Sequence, residues 1–455
     1  MKNLLTFSIF FMLASIIIYS QSWKEQTVSV PSNSLVSFSI VDNNICWAFW
    51  STSYASSTQF KNGVIRSTDY GETWSGGEIP EIEMGIIMWI EALDANTAFI
   101  VVENWAGAGL QGIYKTTDGG NKWLRDTVAY ANSQFGAGYI HFFDKNNGVV
   151  VGERNFGTGF DIYTTTNGGS NWTVVPQANI PPAFTNEAIQ TTPMGVYKDN
   201  IWLTTLPAAG HGPRIFKTTD KGYHWSVIAP PGLTDKYYIS VALQDENNGL
   251  MVAFTLNQGK ISKTTDGGKT WTAIGSPDGL IPNFIVHIPE TASSYVVAND
   301  ANFAGGPGGS AFTLDEGKTW NIIDNKNHIA PSFYSTSVGW SSSWASNTIY
   351  KFTGSLTAIS DGSKSENVNS YSLSQNYPNP FNPTTTIKYS LKERSNVKIT
   401  LVNVIGEVIS ILVNEEKGPG EYQINFDAKN LPSGVYFYKI EASKYSSVKK
   451  MMLVK

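Results

Sequence analysis

TTDGGKTW, from Thr264 to Trp271, recurs in five variant forms along the chain: STDYGETW (Ser67 to Trp74), TTDGGNKW (Thr116 to Trp123), TTNGGSNW (Thr165 to Trp172), TTDKGYHW (Thr218 to Trp225) and TLDEGKTW (Thr313 to Trp320). The third positions, Asp69, Asp118, Asn167, Asp220, Asp266 and Asp315, follow one another at intervals of 49, 49, 53, 46 and 49 residues. A period of that length signals a repeat architecture in which each unit is one small sheet. Each copy lies between two runs with strand character, so it reads as a hairpin. The Asp or Asn side chain accepts hydrogen bonds from turn amides that a ladder leaves unpaired. The glycine two residues later supplies a positive φ. The closing Trp74, Trp123, Trp172, Trp225, Trp271 and Trp320 start the outgoing strands and offer a large surface to neighbouring sheets.

A second periodic element precedes every copy: a strand, a turn rich in Asp and Asn, and another strand. It is clearest at Ser39 to Phe49, Ala92 to Val102, Phe143 to Gly152, Lys198 to Thr204 and Gln244 to Phe254, and looser at Ile288 to Ala298 and Ser335 to Ser343. These elements number seven and the boxes six. The last leads to Thr348 to Phe352 with no box behind it, while Trp23 to Val28 has the look of a run that follows a box. The expectation is an all-β, seven-bladed β-propeller over residues 23–354, closed by the N-terminal strand. Closure of this kind leaves only short, protected sheet edges.

The six boxes resemble the Asp-box, or bacterial neuraminidase repeat. The chain as a whole is similar to the sialidase-like and photosystem-assembly-factor-like propellers. That resemblance implies that the box residues are fold elements remote from any active centre.

Residues 1–22 carry one Lys2, an apolar stretch from Leu4 to Tyr19 and small residues near its end, the pattern of a secretory signal peptide. No other stretch approaches the length of a membrane span, so none is expected after signal removal. The single Cys46 cannot form an internal disulfide and is expected to be a buried, inert thiol. With net charge −5 and no Lys/Arg cluster, nucleic acid is not expected as a partner.

Residues 355–370 have linker composition. Beyond them, three prolines between Pro378 and Pro383 mark an extended entry segment. Six alternating runs follow, Ile387 to Leu391, Val397 to Val404, Val408 to Val413, Tyr422 to Phe426, Val435 to Ile440 and Val448 to Val454, which suggests a small immunoglobulin-like β-sandwich. The motif Asn-Tyr-Pro-Asn-Pro-Phe-Asn-Pro, the Gly434 to Tyr438 strand and the Lys-rich final strand resemble a type IX secretion C-terminal sorting domain over residues 371–455. This implies the type IX secretion machinery as a partner and an extracellular or outer-surface location. Similar modules also serve as permanent structural parts of other exported proteins.

In an up-and-down blade the boxes and the Asp/Asn turns share one face of the disc. The loops between second and third strands emerge on the other, and variable loops on a rigid scaffold usually carry function. Their candidate binding residues are Trp50, Tyr54, Trp105, Arg154, Phe156, His211, Phe303 and Trp344, which can stack on sugar rings or grip peptide side chains. The ligand expected is an extracellular glycan or protein.

Sialidases share an arginine cluster for a substrate carboxylate. Here Arg66, Arg125 and Arg214 sit next to boxes and are expected away from the loop face, leaving Arg154. A different glycoside hydrolase is the alternative, with Glu103 and Glu153 in comparable positions of adjacent blades and Asp300 on a third loop. The plainer reading of these three is solvated loop acids. No metal or cofactor motif is present, and no catalytic residue is assigned.

Overall fold

The computed structural model describes residues 21–31, 34–52, 61–82, 85–103, 111–130, 136–153, 159–190, 194–256, 258–344, 346–356, 371–376, 378–393, 395–417, 420–429, 431–443 and 445–454. They fall into two compact units, one ending at Thr357 and one running from Ala358 to Lys455.

The first unit is a seven-bladed propeller. Blade 1 runs from Ser34–Ile40 to Ser75–Glu78, blade 2 from Ile86–Ala92 to Leu124–Arg125, and blade 3 from Gly136–Phe142 to Thr173–Val174. Blade 4 runs from Gly195–Tyr197 to Ser226–Ile228, blade 5 from Tyr238–Leu243 to Thr272–Ile274, and blade 6 from Phe284–His287 to Asn321–Asp324. Each is four antiparallel strands in chain order. Blade 7 has three strands of its own, Ile329–Ser335, Val338–Ser342 and Thr348–Thr353. Its fourth is the N-terminal strand Ser22–Thr27, in register from Ser22 opposite Thr353 to Thr27 opposite Thr348. The expected closure is therefore found. Trp23 fastens it: the indole is 5% exposed, donates to Ser310 Oγ at 2.9 Å and packs edge-on against Phe333 and Phe352.

Strands form where β-branched and aromatic residues alternate or run continuously. The second strand of each blade is buried on both faces, as in Ala98–Glu103 and Gly148–Glu153, because sheets lie against it on either side.

The boxes join neighbouring blades. In the Asp266 box, Thr264 Oγ1 donates to Asp266 Oδ1 and accepts the Gly268 amide, both at 2.9 Å. Asp266 then accepts from the Thr270 amide (2.9 Å) and hydroxyl (2.6 Å). Two successive residues of every box adopt a positive φ, not the glycine alone, since Tyr70 (60°), Lys221 (62°) and Glu316 (60°) precede their glycines. The glycine matters for a further reason. A Cβ at Gly169 would stand 2.6 Å from Phe99, one at Gly222 2.6 Å from Val149 and one at Gly268 2.9 Å from Trp202, each on the second strand of the preceding blade. At Gly71 of blade 1 the obstructing ring is Trp340 of blade 7, so the same contact shuts the ring. Phe38 stacks on Trp340 from the first strand of blade 1, at 6.0 Å.

The second unit is a sandwich of a three-stranded sheet (Ser372–Leu373, Thr384–Leu391, Gly420–Asp427) and a four-stranded sheet (Val408–Lys417, Ser395–Val402, Gly434–Ala442, Tyr445–Leu453). Leu373, Ile387, Leu391, Ile399, Leu401, Ile440 and Leu453 are in its core. The proline-rich entry segment is tied down by polar groups. The Asn376 amide donates to the Tyr438 hydroxyl, which donates to the Ser374 carbonyl, each at 2.7 Å. Asn379 Oδ1 accepts from the Met452 amide at 2.8 Å, and the Phe381 ring is buried.

Candidate functional site

The loops between second and third strands carried the sequence-based candidates. Tyr54, Trp105, Arg154 and Phe156 lie outside the described residues, as does the side chain of Phe303, whose backbone belongs to the short helix Ala301–Ala304. Trp50 is not a loop residue. The second strand of blade 1 continues to Thr52, and the indole is 3% exposed. Its register partner is Gly63, where a Cβ would run into the indole, so the missing side chain makes room for the ring in the core.

Trp344 is half-buried against Phe284, Ala298 and Ile329, with its amide donating to Asp300 Oδ2 at 2.7 Å. His211 is exposed. It stacks flat on Phe184 at 3.9 Å with a 7° interplanar angle. Behind Phe184 the Arg214 guanidinium lies 4.0 Å from that ring and 5.0 Å from Phe216. Sequence reasoning missed Phe184 and the pairing of Glu187 with Arg214, because Phe184 and Glu187 come from the long connection into blade 4, which carries no repeat signal.

The acids of this face differ from the solvated loop acids expected. Glu103 and Glu153 are each 7% exposed, and Asp300 is fully buried. Glu103 and Glu153 close the second strands of blades 2 and 3, and Gly136 is in register with both, so the two stand on either side of one glycine. Glu153 Oε1 accepts from the Ile189 amide of blade 4 at 3.0 Å. Burial raises its pKa against the opposing pull of that bond. Asp300 caps its helix through the Asn302 amide and accepts from Ser343 and Trp344 of blade 7. Glu153 and Asp300 thus each satisfy backbone amides beyond their own blade.

The arginines also need correction. Arg214 immediately precedes the third strand of blade 4, Ile215–Thr218, at the loop-face end and is buried, with Nε donating to Glu187 Oε1 at 2.8 Å and Nη2 to Oε2. Arg125 reaches back to the Gln111 carbonyl, donating through Nε at 3.0 Å and Nη2 at 2.7 Å. Both were expected on the box side. Arg66 is on that side, donating to the Ala95 carbonyl above the Trp47 ring.

His328 joins Ser341 (Nδ1 to Oγ, 2.6 Å) and Asp324 (Nε2 to Oδ1, 3.0 Å) in the order of a nucleophile triad. Ser341 and His328 are fully buried, which makes this a core network without substrate access. Cys46 is buried, and desolvation holds its pKa well above the usual thiol value. Among the described residues no group of His, Cys, Asp and Glu has metal-holding geometry. A cavity of about 590 Å³ lies at the inner ends of blades 4, 5 and 6, lined by residues such as Tyr197, Leu243, Gln244, Ile285 and His287. The first-to-second turns of these blades put it on the box side, opposite the loop face.

Residues 375–455 match the family described as the secretion system C-terminal sorting domain. The second unit is a type IX sorting domain. The protein is thus exported to the cell surface or the extracellular space. Curated relatives include a xyloglucanase of Paenibacillus sp., 27% identical over 50% of this chain and 25% of that protein, and one of Hypocrea jecorina (strain QM6a), 26% identical over 49% and 30%. The chain therefore spans less than a third of the length of these relatives. Among solved structures, YCF48 bound to D1 peptide superposes with a TM-score of 0.52 at 13% identity, over 73% of this chain and 97% of that one. YCF48 from Cyanidioschyzon merolae gives 0.50 at 17%, over 73% and 98%. At these identities the likeness is one of fold. No helix among the described residues is long and apolar enough to cross a membrane.

Proposed function

We propose that this protein is a non-enzymatic binding propeller that takes a glycan or protein ligand on its loop face, after a signal peptide (1–22) has directed it to the periplasm and the sorting domain has carried it out. The linker at 355–370 is the place where the mature propeller, 23–354, would be freed or attached. One observation carries this reading: three buried acids of the loop face are engaged by the scaffold. Glu187 is closed on Arg214, Asp300 on blade 7 and Glu153 on blade 4. Among the described residues, His211 on Phe184 presents a flat, exposed surface, a platform suited to stacking on a sugar or aromatic side chain.

A glycoside hydrolase is the second reading. The similarity to xyloglucanases favours it, as do two buried glutamates flanking Gly136, one with a raised pKa suited to proton donation. A glycan and peptide binding screen of the full chain, coupled to a reducing-end assay on xyloglucan and other polysaccharides, separates the two. Binding without saccharide release is the expected result. Release that is lost in Glu103→Gln or Glu153→Gln would reverse the assignment.

A further inference from the structure

We propose that the loop face over blades 4 and 5 is a two-platform site for a linear, uncharged glycan, with one sugar ring on His211 and another on Tyr238. The proposal rests on the loop-face reading above and narrows its two ligand classes to one.

The first platform is built in advance. His211 closes a tight turn, its amide donating to the Ala208 carbonyl at 2.8 Å, with Gly210 at a φ of 76°. Its ring is outermost in a stack of four layers. Phe184 lies beneath it at 3.9 Å, and the Arg214 guanidinium is over both Phe184 and Phe216. Glu187 fixes the stack from within. Its buried carboxylate accepts from the Phe184 amide (2.9 Å), the Thr205 hydroxyl (2.8 Å) and Arg214. A ring held in this way loses little freedom when a ligand stacks on it.

The second platform opens the first strand of blade 5 at the same face. Tyr238 is 40% exposed, and its ring stacks at 5.7 Å on its register partner Phe254, which is buried. Asp235 stands between the two. Its carboxylate accepts from the Gly210 amide at 3.4 Å, next to His211. It precedes Tyr238 by three residues, which at full extension cover about 11 Å. A turn closed by the Tyr237 amide on the Thr234 carbonyl, at 3.1 Å, shortens that reach. Both rings are therefore within the length of a short oligosaccharide.

The pattern selects a sugar chain. A pyranose carries C–H groups on its flat faces and hydroxyls around its rim, so it matches a bare ring flanked by polar atoms. Asp235 accepts from hydroxyls. The His211 ring nitrogens, unbonded among the described residues, can donate and accept. Every unit of a glycan is a ring, whereas an extended peptide turns alternate side chains away. No charge on the ligand is called for. Arg214 is closed on Glu187, and at the rim Asp235 is followed by the exposed Lys236, which offsets it.

The test is an NMR titration of the full chain with isotope-labelled histidine and tyrosine, following the His211 and Tyr238 rings. The probes are cellotetraose, mannotetraose and laminaritetraose, with tetragalacturonate as a charged comparison and the peptide Phe-Gly-Phe-Gly as an aromatic one. A saturable shift of both rings with a neutral tetrasaccharide is expected, weakened at least about tenfold in His211→Ala, in Tyr238→Ala and with the corresponding disaccharide. No saturable shift of either ring up to about 10 mM of any neutral probe overturns the proposal. Saturation by tetragalacturonate or the peptide alone overturns the assigned class and leaves the loop-face reading standing. A disaccharide that binds as well as its tetrasaccharide, or binding that survives both substitutions, overturns the two-platform arrangement. Reducing ends released from a bound tetrasaccharide would instead overturn the non-enzymatic reading and leave the platforms in place. Both side chains are exposed, so the substitutions spare the core.

Discussion

Asp69, exposed, and Asp266, partly exposed, are carboxylates with pKa values lowered to about 2, first by the hydroxyls and then the amides of Thr73 and Thr270. Their folded values lie below the unfolded one. Their stabilising contribution is therefore complete above roughly pH 4 and is lost as pH falls towards 2. His287 acts in a higher window. Its folded pKa is about 4 against an ordinary 6.5, so its neutral form stabilises the fold above pH 6.5 and that contribution fades as pH falls to 4. Glu153, with a raised pKa, works in the opposite sense, so the comparison is between parent and variant. Melting temperatures measured from pH 8 to 2 should fall for both proteins below about 4, with the decline between 6.5 and 4 shallower in His287→Phe than in the parent. Identical slopes in that upper window would contradict the burial of this imidazole. The box turns were legible because their bonds lie within eight residues. The buried state of Trp50 and Glu153 was not, because Gly63 across the ladder and Ile189 in another blade decide it.

Among the elements, the N-terminal strand is the one that closes the ring. Trp23 touches His328, Phe333 and Phe352 and donates to Ser310, tying blade 7 to blade 6. Trp23→Ala should cost about 3–5 kcal/mol, read as a lower midpoint in denaturant unfolding, the range for deleting a buried aromatic. A loss under about 1 kcal/mol would show that the strand is an accessory to a ring that closes without it. This strand was legible from the likeness of Trp23 and its neighbours to the runs behind each box. The short inner strands of blades 4 and 6 were not, since a three-residue ladder at Gly195–Tyr197 leaves no period to detect.

At the scale of the molecule, propeller and sorting domain are separately packed units with separate tasks. Removal of 371–455 should leave the remaining chain in the cell envelope, measured as the fraction of protein in the medium and at the surface. Unchanged export of the truncated chain would refute the assigned role of that module. The sorting motif was legible because Asn376, Asn379 and Phe381 anchor the entry segment on Tyr438, Met452 and the core, contacts that need those residue types. The ligand was not, because what a rim recognises depends on loops that no repeat constrains.

The pairing of Ser22–Thr27 with Thr348–Thr353 also sets a schedule. The strand Ser22–Thr27 has no mate until more than three hundred further residues have followed it. In the interval the growing disc is an open spiral with a raw margin at each end. Completion is thus a test of length: a chain that stops short cannot latch, and its loose ends remain within reach of proteases that the finished circle denies.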